Sequence, residues 1–199
     1  MKRKTFDLLL SAGGLVLVAV LIVAGSLLAW GTSYINTNVH NQLAAQQIFF
    51  PPKGSAELAN PKIGPYLNQY AGQQLTTGPQ AEAWADHFIA VHLSEMPYQG
   101  VYAKVSAAAL AAPNNKALAA EVDTVFRGTT LRGLLLNAYA FGQMGQIAGD
   151  AALASFLLAG VMLILSLLGM LHFRRAPMQA ELLNLSGTNE KVNATAAAS

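Results

Sequence analysis

Two long apolar runs dominate the pattern of hydrophobic and polar positions along this chain. One occupies residues 8–31; the other centres on residues 151–171, which hold no charged side chain and are followed by His172, Phe173, Arg174 and Arg175. A hydrocarbon core of about 30 Å needs roughly 20 apolar residues in a helix, the one single-segment structure that satisfies its own backbone polar groups there. Each run therefore predicts a transmembrane helix, and the segment between them lies on one side of the membrane. Past residue 31 the composition turns polar, yet Ile35, Val39, Leu43 and, with drift, Ile48 keep nearly one helical face. The first helix is thus expected to continue beyond the membrane until Pro51 and Pro52, which remove amide donors and clash with the preceding turn.

Residues 50–78 read as an irregular segment punctuated by four prolines and four glycines. It still carries apolar side chains, including Phe50, Ile63, Leu67 and Leu75, and Pro65 is placed to open a short helix bearing Tyr66 and Tyr70. Thr77, Gly78, Pro79 and Gln80 form a strong helix start, for a helix over residues 79–96 that turns Trp84, Phe88, Val91 and Met96 inward and stops at Pro97. An alanine-rich helix follows near residues 101–111. Asn114 or Asn115 then caps a last helix able to run without a proline into the second span, with Gly128 and Gly133 as its weak points. The fold class is an all-α membrane protein: two transmembrane helices extending into a small extracytoplasmic helical domain. Its divisions are residues 1–7 (cytoplasmic), 8–31 (first span), 32–146 (extracytoplasmic domain), 147–173 (second span) and 174–199 (a mostly disordered cytoplasmic tail).

Charge fixes the expected orientation. Of the 199 residues 11% are charged, against about 25% in ordinary soluble domains. Lys2, Arg3 and Lys4 precede the first span, Arg174 and Arg175 follow the second, and the intervening segment balances six basic against six acidic residues. By the positive-inside rule both termini are cytoplasmic and the middle is translocated across the cell membrane. The neutral middle has no nucleic-acid footprint, so the expected partners are the lipid bilayer and other membrane proteins or a second copy. The 24 apolar-rich residues 8–31 exceed a signal-peptide core of about 7–15 residues, which predicts an uncleaved anchor with Trp30 and Tyr34 in the outer interfacial belt. Asn184 and Asn193 match the glycosylation pattern but fall in the expected cytoplasmic tail.

Candidate chemistry is sparse. The chain has no cysteine, no G-x-S-x-G or S-x-x-K nucleophile motif and no phosphate-binding glycine loop. His87 and His92 are five apart and diverge on an α-helix; His92 with Glu95 gives at most two ligands, and His40 is unaligned with them. The expectation is a non-enzymatic protein with no metal and no cofactor. Helix contact has a clearer signal: Gly145 and Gly149 form G-x-x-x-G, and Ala151, Ser155 and Ala159 extend small residues at four-residue steps, answered on the first span by Gly25 and Ala29. On the extramembrane side, Tyr66 and Tyr70 are the candidate partner surface.

The runs FFPPKGS from Phe49, IGPY from Ile63, YAGQQLTTG from Tyr70, ADHFIAVH from Ala85 and FRGTTLRGLLLNAY from Phe126 together resemble a family of uncharacterised two-span membrane proteins of actinobacteria, over nearly the whole chain outside the tail. Members often bear the description aromatic ring-opening dioxygenase. That description implies iron ligands in a soluble fold, which these residues do not supply, and no functional residues carry over. The sequence as a whole reads as a non-enzymatic membrane protein of the cell envelope acting by contact, an accessory, assembly or scaffold component of a membrane complex. An extracytoplasmic ligand-sensing or ligand-binding module is the alternative.

Overall fold

The computed structural model describes residues 3–175. The tail beyond them, with Asn184 and Asn193, lies outside the described residues. Seven α-helices follow in chain order: α1 (Arg3–Ala45), α2 (Ala56–Ala59), α3 (Gly64–Leu67), α4 (Gly78–Trp84), α5 (Ala90–Ser94), α6 (Tyr102–Ala111) and α7 (Lys116–Arg175). Among the described residues no β-strand forms, and a single antiparallel bridge joins Phe49 to Gln74. The chain divides into two compact units, residues 1–28 with 150–199, and residues 29–149.

In the first unit, α1 packs along α7 through a seam of small side chains. Ser11 and Val18 on α1 are buried, as are Ala152, Ala159 and Ser166 on α7. These positions repeat every seven residues, the period that keeps one face of an α-helix on a partner. A Cβ on Gly14 would collide with Ser166 Oγ, one on Gly169 would lie 2.5 Å from Ser11 Oγ, and one on Gly25 would lie 3.0 Å from the Phe156 ring. The backbones thus approach as closely as small residues allow, which is how helices gain van der Waals contact where burial from water cannot drive association. The outer surface is the reverse: Leu10, Val16, Leu27, Leu157 and Ile164 are all exposed. Both α1 and α7 are long and apolar enough to cross a membrane, and only 22% and 17% of their most apolar windows are buried. A core helix of a soluble protein would be buried all round; these are not.

In the second unit the expected extension of the first helix forms, but it stops at Ala45 rather than at Pro51. Gln46 and Gln47 close the last turn with bonds to the carbonyls of Leu43 and Ala44, and Gln47 adopts a left-handed φ of 53°. Gln74 Nε2 donates to the Ala44 carbonyl at 2.8 Å, satisfying a helix-end acceptor. Residues 48–51 then pair with 72–75, through Phe50 N to Gln73 O, Leu75 N to Ile48 O and Gly72 N to Pro51 O. The segment read as irregular is therefore tied at its base, with α2 and α3 folded inside it. Its apolar residues make the core: Phe50, Leu58, Ile63, Leu67 and Leu75 are buried together with Val39, Leu43, Ala81, Ala85, Ile89 and Leu135.

The start of α4 is the capping box expected at Thr77 and Gln80. The helix expected over residues 79–96 runs from Gly78 to Ser94 and is not uniform. Ala85–Ile89 form a wide π turn, in which Ala90 N–H reaches back five residues to Ala85 O. Ala85 and Ile89 face the core, while Asp86 accepts a 2.6 Å bond from Arg132 of α7. At Pro97–Gly100 the chain turns through three consecutive left-handed residues, Tyr98, Gln99 and Gly100. Asn115 caps α7 by accepting from Leu118 N–H, and the helix passes through Gly128 and Gly133 without a break. Gly128 is held by packing, since a Cβ there would lie 2.8 Å from Leu93 Cδ2.

Candidate functional site

The small-residue face expected on the second span is only partly the packed face. Gly145 lies against Asn36 and Ile35, and Gly149 against Thr32, all within the second unit. In the first unit Ala159 is buried, and Ser155 is half-buried with its hydroxyl donating to the Ala151 carbonyl. Ala151, however, is exposed, and its neighbour Ala152 takes the buried place. On α1, Gly25 is buried and Ala29 exposed. The correction is one of period. Steps of four residues advance about 400° and drift off the contact by about 40° each time, whereas alternating steps of three and four stay on it.

The two tyrosines proposed as a partner surface have different surroundings. Tyr70 is half-buried, with its ring 5.1 Å from Phe50. Phe50 in turn meets Trp84 edge-on at 5.2 Å, and Trp84 stacks on Phe88 at 4.2 Å. Tyr70 thus closes the rim of a continuous aromatic cluster. Tyr66 stands outside it: 47% exposed, it lies flat on the His87 imidazole with ring centroids 3.4 Å apart and planes within 1°. Pro65 sets the start of α3 that carries Tyr66, and the π turn carries His87, so two separate elements fix the stack. Sequence reading found Tyr66 through the Pro65 helix start. It missed the stack because residues 66 and 87 are joined only by the tertiary fold.

His92, one helical turn past Phe88, is exposed and donates Nδ1–H to the Phe88 carbonyl at 2.7 Å. Glu57 belongs to the same surroundings: its own backbone N–H and the Ser55 hydroxyl, with a weaker contribution from His92, hold its carboxyl below the usual glutamate range. Among the described residues no three histidine, aspartate or glutamate side chains converge as a metal site. The half-exposed Arg132–Asp86 pair fastens the π turn to α7, while Arg132 Nε, itself buried, makes no hydrogen bond. Beside the Gly78–Gly142 backbone contact lies an open recess of about 600 Å³, lined by Asn36, Val39, His40, Thr77, Pro79 and Gln146 among others. Compared with known protein families, curated proteins and solved structures, the chain has no match.

Proposed function

We propose that this chain is a non-enzymatic protein of the cell membrane, with both termini cytoplasmic and residues 32–146 extracytoplasmic, that works by contact as an accessory, assembly or scaffold component of a membrane complex. The basic residues at the start of α1 and at the end of α7, around a neutral middle, support the orientation. The observation that carries the contact reading is Tyr66. An exposed tyrosine ring costs a partner little conformational entropy when it is already immobilised, and aromatic anchors of this kind dominate binding energy at interfaces. The His87 stack supplies that immobilisation and leaves the opposite ring face open to a partner.

Replacing Tyr66 by alanine is expected to leave abundance and thermal stability within about 0.5 kcal/mol, as at an ordinary surface position, while a partner recovered in mild detergent from wild-type membranes is lost. Mass spectrometry of the two purifications side by side reads this out. If Tyr66→Ala retains every stoichiometric partner, or loses abundance in parallel with core variants, the tyrosine is structural and the contact reading loses its support. The recess at Thr76, Thr77 and His40 favours a second reading, an extracytoplasmic ligand-sensing or ligand-binding module. In that case a bound small molecule, rather than a protein, would accompany the purified chain.

A further inference from the structure

In the first unit α1 and α7 run antiparallel, since Ser11 meets Gly169, Gly14 meets Ser166 and Gly25 meets Phe156. The start of α1 and the end of α7 therefore lie side by side. In the sequence this end holds Lys2, Arg3, Lys4, Arg174 and Arg175 against one acid, Asp7, and no Lys or Arg lies between Lys4 and Lys53 or between Arg132 and Arg174. Arg174 and Arg175 are exposed. Next to this end a groove of about 550 Å³ opens between the helices, walled by Leu9, Leu10, Leu17, Met162 and Leu165 and lined by no charged residue. From Leu9 to Leu17 it follows α1 for about 12 Å at about 1.5 Å per residue. That is close to the ~15 Å which one leaflet contributes to a hydrocarbon core of about 30 Å.

Two neighbouring glycines at the groove have different surroundings. Gly14 is required by packing, because a Cβ there collides with Ser166. Gly13 is not: it is exposed, and a Cβ would meet nothing within 4 Å. Glycine also weakens a helix interior relative to alanine, so neither helix propensity nor contact with α7 accounts for it. The effect of its missing side chain is to open the groove. The exposed face of a membrane span is covered by lipid chains, and this face ends at a cluster of basic residues, the arrangement that attracts anionic headgroups. We infer that the groove seats one acyl chain of an anionic phospholipid, whose phosphodiester is met by the basic residues at the groove's end, Arg3 first among them by register. Arg3 opens α1 seven residues before Leu10 and fourteen before Leu17, so it shares the line of these two groove residues along the helix. The inference rests on the membrane reading above and adds to it a lipid of defined charge.

The full chain in mild detergent provides the test. Dioleoylphosphatidylglycerol should raise its melting temperature at concentrations about tenfold below those at which dioleoylphosphatidylcholine acts, as two or more basic contacts imply. Glycerol 3-phosphate, which carries the anionic group without a chain, should have no effect. Arg3→Gln should weaken the phosphatidylglycerol response about fivefold, the worth of one basic residue at a membrane surface, and leave the phosphatidylcholine response unchanged. Gly13→Leu fills the groove from a position whose Cβ meets no neighbour, and should abolish the phosphatidylglycerol response. Gly160→Leu places the same side chain at another glycine with open space around it, outside the groove, and should respond as wild type. Equal action of the two phospholipids, a shift with glycerol 3-phosphate alone, or an undiminished response in Gly13→Leu overturns the inference; Arg3→Gln decides it if Gly13→Leu does not accumulate. Alkaline washing of membranes tells which reading has failed. A chain that stays in the membrane pellet but shows no lipid preference loses only the bound lipid, whereas a chain released into the soluble fraction removes the membrane reading and the inference with it.

Discussion

Replacing Phe50 by alanine is expected to lower stability by about 3–5 kcal/mol, the cost of truncating a fully buried phenylalanine. Phe50 is 2% exposed, meets Trp84 edge-on and Tyr70 at a tilt, and donates its backbone N–H to Gln73 at 2.8 Å. It therefore joins the three parts of the second unit: the end of α1, the tied segment over residues 48–75, and the helix that begins at Gly78. Truncation leaves a cavity bounded by rigid rings, which collapse poorly into empty space. A small domain has only about 5–15 kcal/mol in hand, so the variant should fall strongly in abundance and melt at markedly lower temperature. Phe49, its exposed neighbour, is the internal control, and Phe49→Ala should change little. Equal losses for the two variants would mean that the segment is held by its backbone pairing rather than by the Phe50 ring.

Gly14→Leu carries the second large effect and tests the packing of the first unit. Even a Cβ at Gly14 collides with Ser166 Oγ, and Met162 Cε lies 3.8 Å away. Ser166 can turn its hydroxyl aside for a methyl group but cannot make room for a leucine. The overpacking should cost about 1–3 kcal/mol, with the two helices forced apart. Cysteines at Leu10 and Leu165, which line one recess beside that contact, report it: a short bis-maleimide should bridge them in the wild-type background and bridge them poorly once Gly14 is leucine. Unchanged bridging together with unchanged thermal stability would place the Gly14 face towards lipid.

The residues differ in how much they disclosed. Helix starts are local chemistry, so Thr77 with Gln80, Pro65 and Asn115 could be read directly from their neighbours in sequence. The two apolar runs were legible for the same reason, because length and composition alone make a helix long enough to cross a membrane. The end of α1 was not legible. Pro51 and Pro52 were the obvious stops, yet the helix closes at Ala45 because Gln47 turns left-handed and Gln74, far along the chain, caps the Ala44 carbonyl. The π turn at Ala85–Ile89 depends in the same way on tertiary partners, with Asp86 drawn to Arg132 and His87 to Tyr66. In the span contact the residue types were informative and the register was not: small residues occur on more than one face of α7, and only the packed structure separates buried Ala152 from exposed Ala151.

The central claim is that α1 and α7 cross the membrane and hold residues 32–146 on its outer side, and cysteine accessibility on intact cells tests it most directly. Lys53 is exposed in an ordinary loop and is a better site than its neighbour Gly54, whose φ of +85° would strain a cysteine. Thr188, in the tail expected on the cytoplasmic side, is the second site. The account predicts that a membrane-impermeant maleimide labels Lys53→Cys on intact cells and labels Thr188→Cys only after the membrane is opened; labelling of Thr188→Cys with Lys53→Cys protected would contradict it.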